Sequence, residues 1–152
     1  MTLSEVFQGL GRDRFDAILR GVSMGSLKTY QVYESFKIRT HLSKLNRDRL
    51  RKAAQKLWER IEGGDEDLSR EVAQGALVSN IGIVVDVLDL LEIPHDGNGF
   101  FDKDASADER LQDGWQGKVM AEFSGKHPED LLLLYVNHLD FELGEPQEVF
   151  LG

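Results

Sequence analysis

The chain has 152 residues, of which 41% are hydrophobic and 30% charged, with a formal net charge of −9 and no cysteine. That composition at ordinary domain size supports a hydrophobic core and excludes a disordered chain or a membrane protein. The absent thiols exclude disulfides, thiolate catalysis and cysteine-ligated zinc.

The net charge conceals a split. Residues 1–60 hold thirteen Lys or Arg against six Asp or Glu, and residues 61–152 hold five against twenty-one. Either the halves face each other, in one fold or in a dimer, or the basic half meets an anionic partner. The longest apolar stretch, 81–91, is broken by Asp86 and Asp89 and is too short to span a bilayer. The start, MTLSEVFQGLGRDRF, lacks the basic-then-apolar pattern of a signal peptide, so a soluble cytoplasmic protein is expected.

In chain order, Thr2 and Glu5 have capping-box spacing, opening a helix with Val6, Phe7 and Leu10 on its apolar side. A second piece over 13–20 carries Phe15, Ile18 and Leu19. After a Gly/Ser loop, Ser26 caps a longer helix over 27–45 bearing Tyr30, Tyr33, Phe36 and Leu42. Asn46 starts the clearest helix, in which Leu50, Ala53, Ala54, Leu57, Trp58 and Ile61 form one stripe that Gly63-Gly64 stops.

Asp65 caps the next segment, 66–74. Residues 76–93 are apolar nearly all round. Their β-branched run admits a strand, but their length and the spacing of Asp86, Asp89 and Glu92 favour a helix at the centre of the core, ended by Pro94. A loop over 95–105 follows. Ser106 and Glu109 then open a helix with Leu111, Trp115, Val119, Met120 and Phe123, closed by Gly125. Pro128, Glu129 and Asp130 start the last core helix, with Leu131 to Leu134, Tyr135, Val136 and Leu139. An extended tail, 144–152, is expected to end the chain. These elements predict a single all-α domain over 1–152, an irregular bundle of six to seven helices or a stack of helix pairs. Trp58, Leu88, Trp115 and Leu134 should be mostly buried.

Four groups of side chains could carry function. On the helix over 46–61, Arg49, Lys52, Lys56 and Arg60 share a face opposite the apolar stripe, extended by Arg47, Arg51, Lys44, Arg39 and Lys37. Clustered cations of this kind neutralise phosphates or dock on acidic neighbours. Asp102, Asp104, Ser106, Asp108 and Asp113 match the oxygen-bearing positions of a calcium loop. Ala107 stands where that loop needs glycine, and Ser106 doubles as a helix cap, so no metal is expected to bind.

His95-Asp96 resembles the paired His-Asp of the HD phosphohydrolases, all-helical enzymes. The resemblance implies divalent metal held by this pair, with His41 upstream and Asp130 or Asp140 downstream. The local reading is a turn in which Asp96 bonds its own backbone. Asp67, Glu71, Asp86 and Asp89 resemble, as a group, the carboxylates with which helical nucleotide pyrophosphohydrolases gather Mg²⁺.

No serine-hydrolase elbow, phosphate loop or dinucleotide fingerprint occurs, and no cofactor is expected. The sequence favours a non-catalytic helical interaction module that binds a protein partner or itself, with no membrane partner. Two alternatives from other classes stand beside it: a metal-dependent phosphohydrolase using carboxylates and His95-Asp96, and a nucleic-acid binder acting through the basic helix.

Overall fold

The computed structural model describes residues 1–21, 47–97, 107–144, 146 and 148–152, with side chains of 47–53 outside the description. The expected helix over 27–45 and its caps Ser26 and Asn46 therefore lie outside the described residues. So do His41, Phe100, Phe101, Asp102, Asp104 and Ser106.

Among the described residues the protein is all-α, with seven helices, one 3₁₀ turn and no strand. The helices are α1 (Leu3–Leu10), α2 (Arg12–Arg20), α3 (Arg47–Glu62), α4 (Glu66–Ser79), α5 (Ile81–Leu90), α6 (Trp115–Phe123) and α7 (Glu129–Leu143). The 3₁₀ turn, η1, covers Ala107–Arg110. No single described helix is long and apolar enough to cross a membrane.

Local chemistry explains most boundaries. The Thr2 hydroxyl accepts the Glu5 N–H at 3.1 Å, as its spacing predicts. The next orphan amides of α1 find a partner far along the chain. The Glu66 carboxylate accepts the N–H groups of Leu3 and Ser4 at 2.9 and 3.0 Å, so a residue in the first turn of α4 also caps α1. Gly64, at φ +87°, ends α3 in the left-handed region that glycine enters without a Cβ clash. Asp65 then caps α4 by accepting the Leu68 N–H at 3.1 Å.

Two expected boundaries move. The predicted break near residue 75 lies instead at Asn80, where α4 and α5 meet at 83°. Asn80 leaves the helical region (φ −129°, ψ 45°), and its amide donates to the carbonyls of Ala76 at 2.8 Å and Gly21 at 3.1 Å. A side chain that satisfies two carbonyls there stabilises a corner that no glycine or proline announces. The helix expected from the Ser106 cap to Gly125 is likewise split. Only η1 and α6 are helical, and Gly114 at φ +80° leads into α6.

The centre of the core is α7, which packs on α1, α2, α4, α5 and α6. Every residue from Leu131 to Asn137 is buried. Segment 81–90 is helical, as preferred over a strand, but it is not central. Ile83, Val84, Val87 and Leu88 face inward, while Ile81 and Gly82 are exposed. Leu88, Trp115 and Leu134 are buried, and Trp58, partly buried, packs on the core through Phe15 with ring centres 5.3 Å apart. The basic and acidic halves meet where Arg14 approaches Asp130 at 2.9 Å and Glu129 at 3.6 Å in the first turn of α7, and again where Arg60 pairs with Asp65 before α4.

Candidate functional site

The basic face of α3 ends in a structural contact. Lys56 is exposed, and the side chains of Arg49 and Lys52 lie outside the described residues. Arg60 is turned to the α3–α4 corner, where its Nε donates to Asp65 Oδ2 at 2.9 Å. Burial works against the charge on Asp65. The Leu68 amide and the Arg60 guanidinium outweigh it and hold the carboxyl below its ordinary value. Arg60 therefore serves the cap of α4.

Of the acidic loop, Asp108 is exposed on η1 and Asp113 is exposed in the turn before Gly114. Asp113 lines an open cleft of about 300 Å³ with Leu91, Glu92, Arg110, Trp115 and Lys118. Carboxylates and cations of opposite sign share this rim, and Arg110 approaches Glu92 at 4.0 Å.

The His-Asp dipeptide is used differently from what its resemblance implies. His95 Nε2 lies 2.7 Å from Asp89 Oδ1, and its Nδ1 accepts the Gly97 N–H at 3.0 Å. Since Nδ1 is an acceptor, the ring proton belongs on Nε2, facing Asp89. The histidine thus ties the bend at Gly97 back to α5. Of the partners that the HD resemblance implies, the two that lie among the described residues, Asp130 and Asp140, do not join it. Asp130 binds Arg14, and Asp140 lies 3.4 Å from the Gln116 amide. Burial raises the Asp140 carboxyl above its ordinary value, against that hydrogen bond.

The helical carboxylates also separate. Asp86 takes His127, with Oδ2 and Nε2 2.7 Å apart, and Asp89 takes His95. Asp67 is exposed, and Glu71 is half-buried with a partner of its own. Two neighbouring aspartates on the outer side of α5 thus pin the segment after α5 and the turn before α7. Their spacing of three was legible as one helix face, but the histidine partners lay in loops with no local signal. Among the described residues, no three His, Asp or Glu side chains gather in a way that could hold a metal ion.

Sequence reasoning counted Tyr135 as core without weighing its hydroxyl and passed over Asn137; both lie on the buried run of α7. The Tyr135 hydroxyl is enclosed without a hydrogen-bond partner. Burial first, then the charge of Glu142, pushes its ionisation above the ordinary phenol value. Asn137 is 1% exposed and satisfied through the C-terminal segment. A polar residue inside an apolar helical run was the available signal for both.

Comparison with known protein families, curated proteins and solved structures finds no match to this chain.

Proposed function

We propose that this chain is a non-catalytic helical interaction module that binds a protein partner or itself. The observation that supports this reading is the pair of large aliphatic side chains flanking the α4–α5 corner. Val78 is 42% exposed and Ile81 38% exposed, and a third such residue, Leu151, lies at the C-terminal end. Fully burying a side chain of this size contributes roughly 1.5–3 kcal/mol, and at about two-fifths exposure each retains on the order of 1 kcal/mol to gain, so the two together offer a modest anchor. The corner is also pre-shaped: Asn80 ties α5 to α4 and to the end of α2. A surface ordered before binding loses less entropy when the partner arrives.

Photo-crosslinking from the corner tests the reading. With Ile81→benzoylphenylalanine in cells, the expected result is one discrete adduct, of partner or homodimer mass, that disappears when Val78→Asp is added. No adduct, or an adduct ladder indifferent to Val78→Asp, rejects the corner as a binding surface.

A further inference from the structure

The outer side of α5 changes character along its length. Ile81 is exposed, Val85 one turn on is half-buried, and Asp89 a further turn on is exposed, so the three stand in one row. Asp86 lies beside that row, one turn after the exposed Gly82. The row therefore runs from an aliphatic end at the α4–α5 corner to an anionic end about 12 Å away, at the helical rise per residue.

The anionic end is short of cations. From Glu71 to Gly97 the chain has Glu71, Asp86, Asp89, Glu92 and Asp96 and no lysine or arginine. The cations that come near are engaged by other acids. Lys126, next to His127, stands 3.8 Å from Glu122, and Arg110 stands 4.0 Å from Glu92. Asp86 and Asp89 each meet a single histidine nitrogen, and their side chains remain 47% and 66% exposed. Among the described residues no lysine or arginine pairs with either. Both carboxylates sit in the second half of α5, whose last turn holds no basic residue. That end of a helix carries the negative pole of its dipole, so carboxylates there add to a potential that attracts cations. A negative field thus lies beside an uncovered aliphatic pair.

We propose that the outer side of α5 is the docking site for a basic amphipathic helix of a partner protein, which sets an aliphatic side chain on Val78 and Ile81 and lysines or arginines against Asp86 and Asp89. This names the partner class for the surface described above and rests on that reading. A helix fits the row because its own residues recur at the same one-turn spacing, so an anchor and the cations one to two turns along share a face. The apolar part alone is a modest anchor, so register and selection of the partner come from the charges. An acidic helix or a phosphate backbone is repelled by the same field.

Fluorescence anisotropy with three labelled helical peptides tests the proposal on the full chain. All carry the same leucine stripe, and the opposite face is lysine, glutamine or glutamate. The lysine peptide should bind saturably, one to one, at least about tenfold tighter than the glutamine peptide, and should weaken as salt rises. The glutamate peptide should not bind. Val78→Gln with Ile81→Gln removes the anchor, and Asp86→Asn with Asp89→Asn removes two charges while keeping an acceptor for each histidine; each pair should weaken the lysine peptide about tenfold. Glu5→Gln with Glu62→Gln, at exposed positions on α1 and α3, removes the same charge and should leave affinity unchanged. Equal weakening by the two charge pairs would mean that the peptide follows net charge alone, and overturns the proposal. A glutamine peptide that binds as tightly as the lysine one overturns it too. A parent chain that light scattering finds dimeric, and Val78→Gln with Ile81→Gln makes monomeric, gives the corner to a second copy and equally overturns the basic partner. None of these outcomes removes the Ile81 crosslink, which alone decides whether the corner is a binding surface in cells, so the two readings fail separately.

Discussion

Helices α5 and α7 are both rich in leucine, valine and isoleucine, yet they occupy opposite situations. From sequence, α5 is the more continuously apolar and the obvious candidate for the centre of the core. In the fold, α7 is packed by five other helices, and α5 by α4 and α7 as its main neighbours, leaving Ile81 exposed. Apolar content measures how much surface a helix offers for burial; position in the packing decides how much is covered. A helix with surplus apolar surface at the edge of a bundle is the arrangement from which interaction surfaces are made.

The sharpest test removes side-chain volume from each helix. Leu133 is fully buried in α7, and Leu133→Ala should destabilise by about 2–5 kcal/mol, because its neighbours cannot collapse around the missing atoms. Ile81→Ala should change stability by less than about 0.5 kcal/mol, the usual range for an exposed site. Urea midpoints measure both. Comparable losses at the two positions would place α5 in the core and remove its exposed corner as a candidate surface.

What the sequence made legible was local. Thr2, Asp65 and Gly64 mark helix ends through bonds or backbone angles within a few residues, and the Pro128-Glu129-Asp130 start of α7 belongs to the same class. The stripe Leu131–Leu134 with Val136 and Leu139 also announces burial, though not centrality. What stayed hidden depends on partners distant in sequence. Glu66 caps a helix 63 residues upstream. Asn80 forms a corner by reaching a carbonyl 59 residues away. Asp86 and Asp89 read as markers of helical spacing or as metal ligands, because nothing near them shows that His127 and His95 stand opposite. The same limit applies to Phe150, whose grip by Asn137 requires knowing that the segment folds back along α7.

A smaller effect is expected where α5 is tied to the turn before α7. The Asp86–His127 contact is 2.7 Å long, with side chains 47% and 20% exposed, so water screens it. A double-mutant cycle with Asp86→Asn and His127→Gln should give a coupling of about 0.2–1 kcal/mol near neutral pH. Zero coupling would leave α5 attached through its apolar face alone and widen the contrast with α7.

The smallest effect is read along the pH axis, where two aspartates should behave with opposite signs. Asp65 has its carboxyl lowered in the folded chain, despite burial, by the Leu68 amide and Arg60. The unfolded chain therefore binds the more protons as pH falls through the interval below the ordinary value of about 3.9. Its stabilisation is complete above that value and is lost as pH falls through the lowered one. Asp140, at the margin of α7, has its carboxyl raised by burial against the Gln116 hydrogen bond. There the folded chain holds the proton longer, so stability falls as pH rises from about 3.9 through the raised value. Asp140→Asn should accordingly leave stability unchanged in strong acid and raise it slightly at neutral pH. Asp65→Asn should lower stability at neutral pH and converge on the parent in strong acid. Urea midpoints between roughly pH 2 and 7 resolve the two difference curves. Curves of the same sign would mean that the edge of α7 is as well solvated as the α3–α4 corner, and that desolvation around α7 ends before it reaches Asp140.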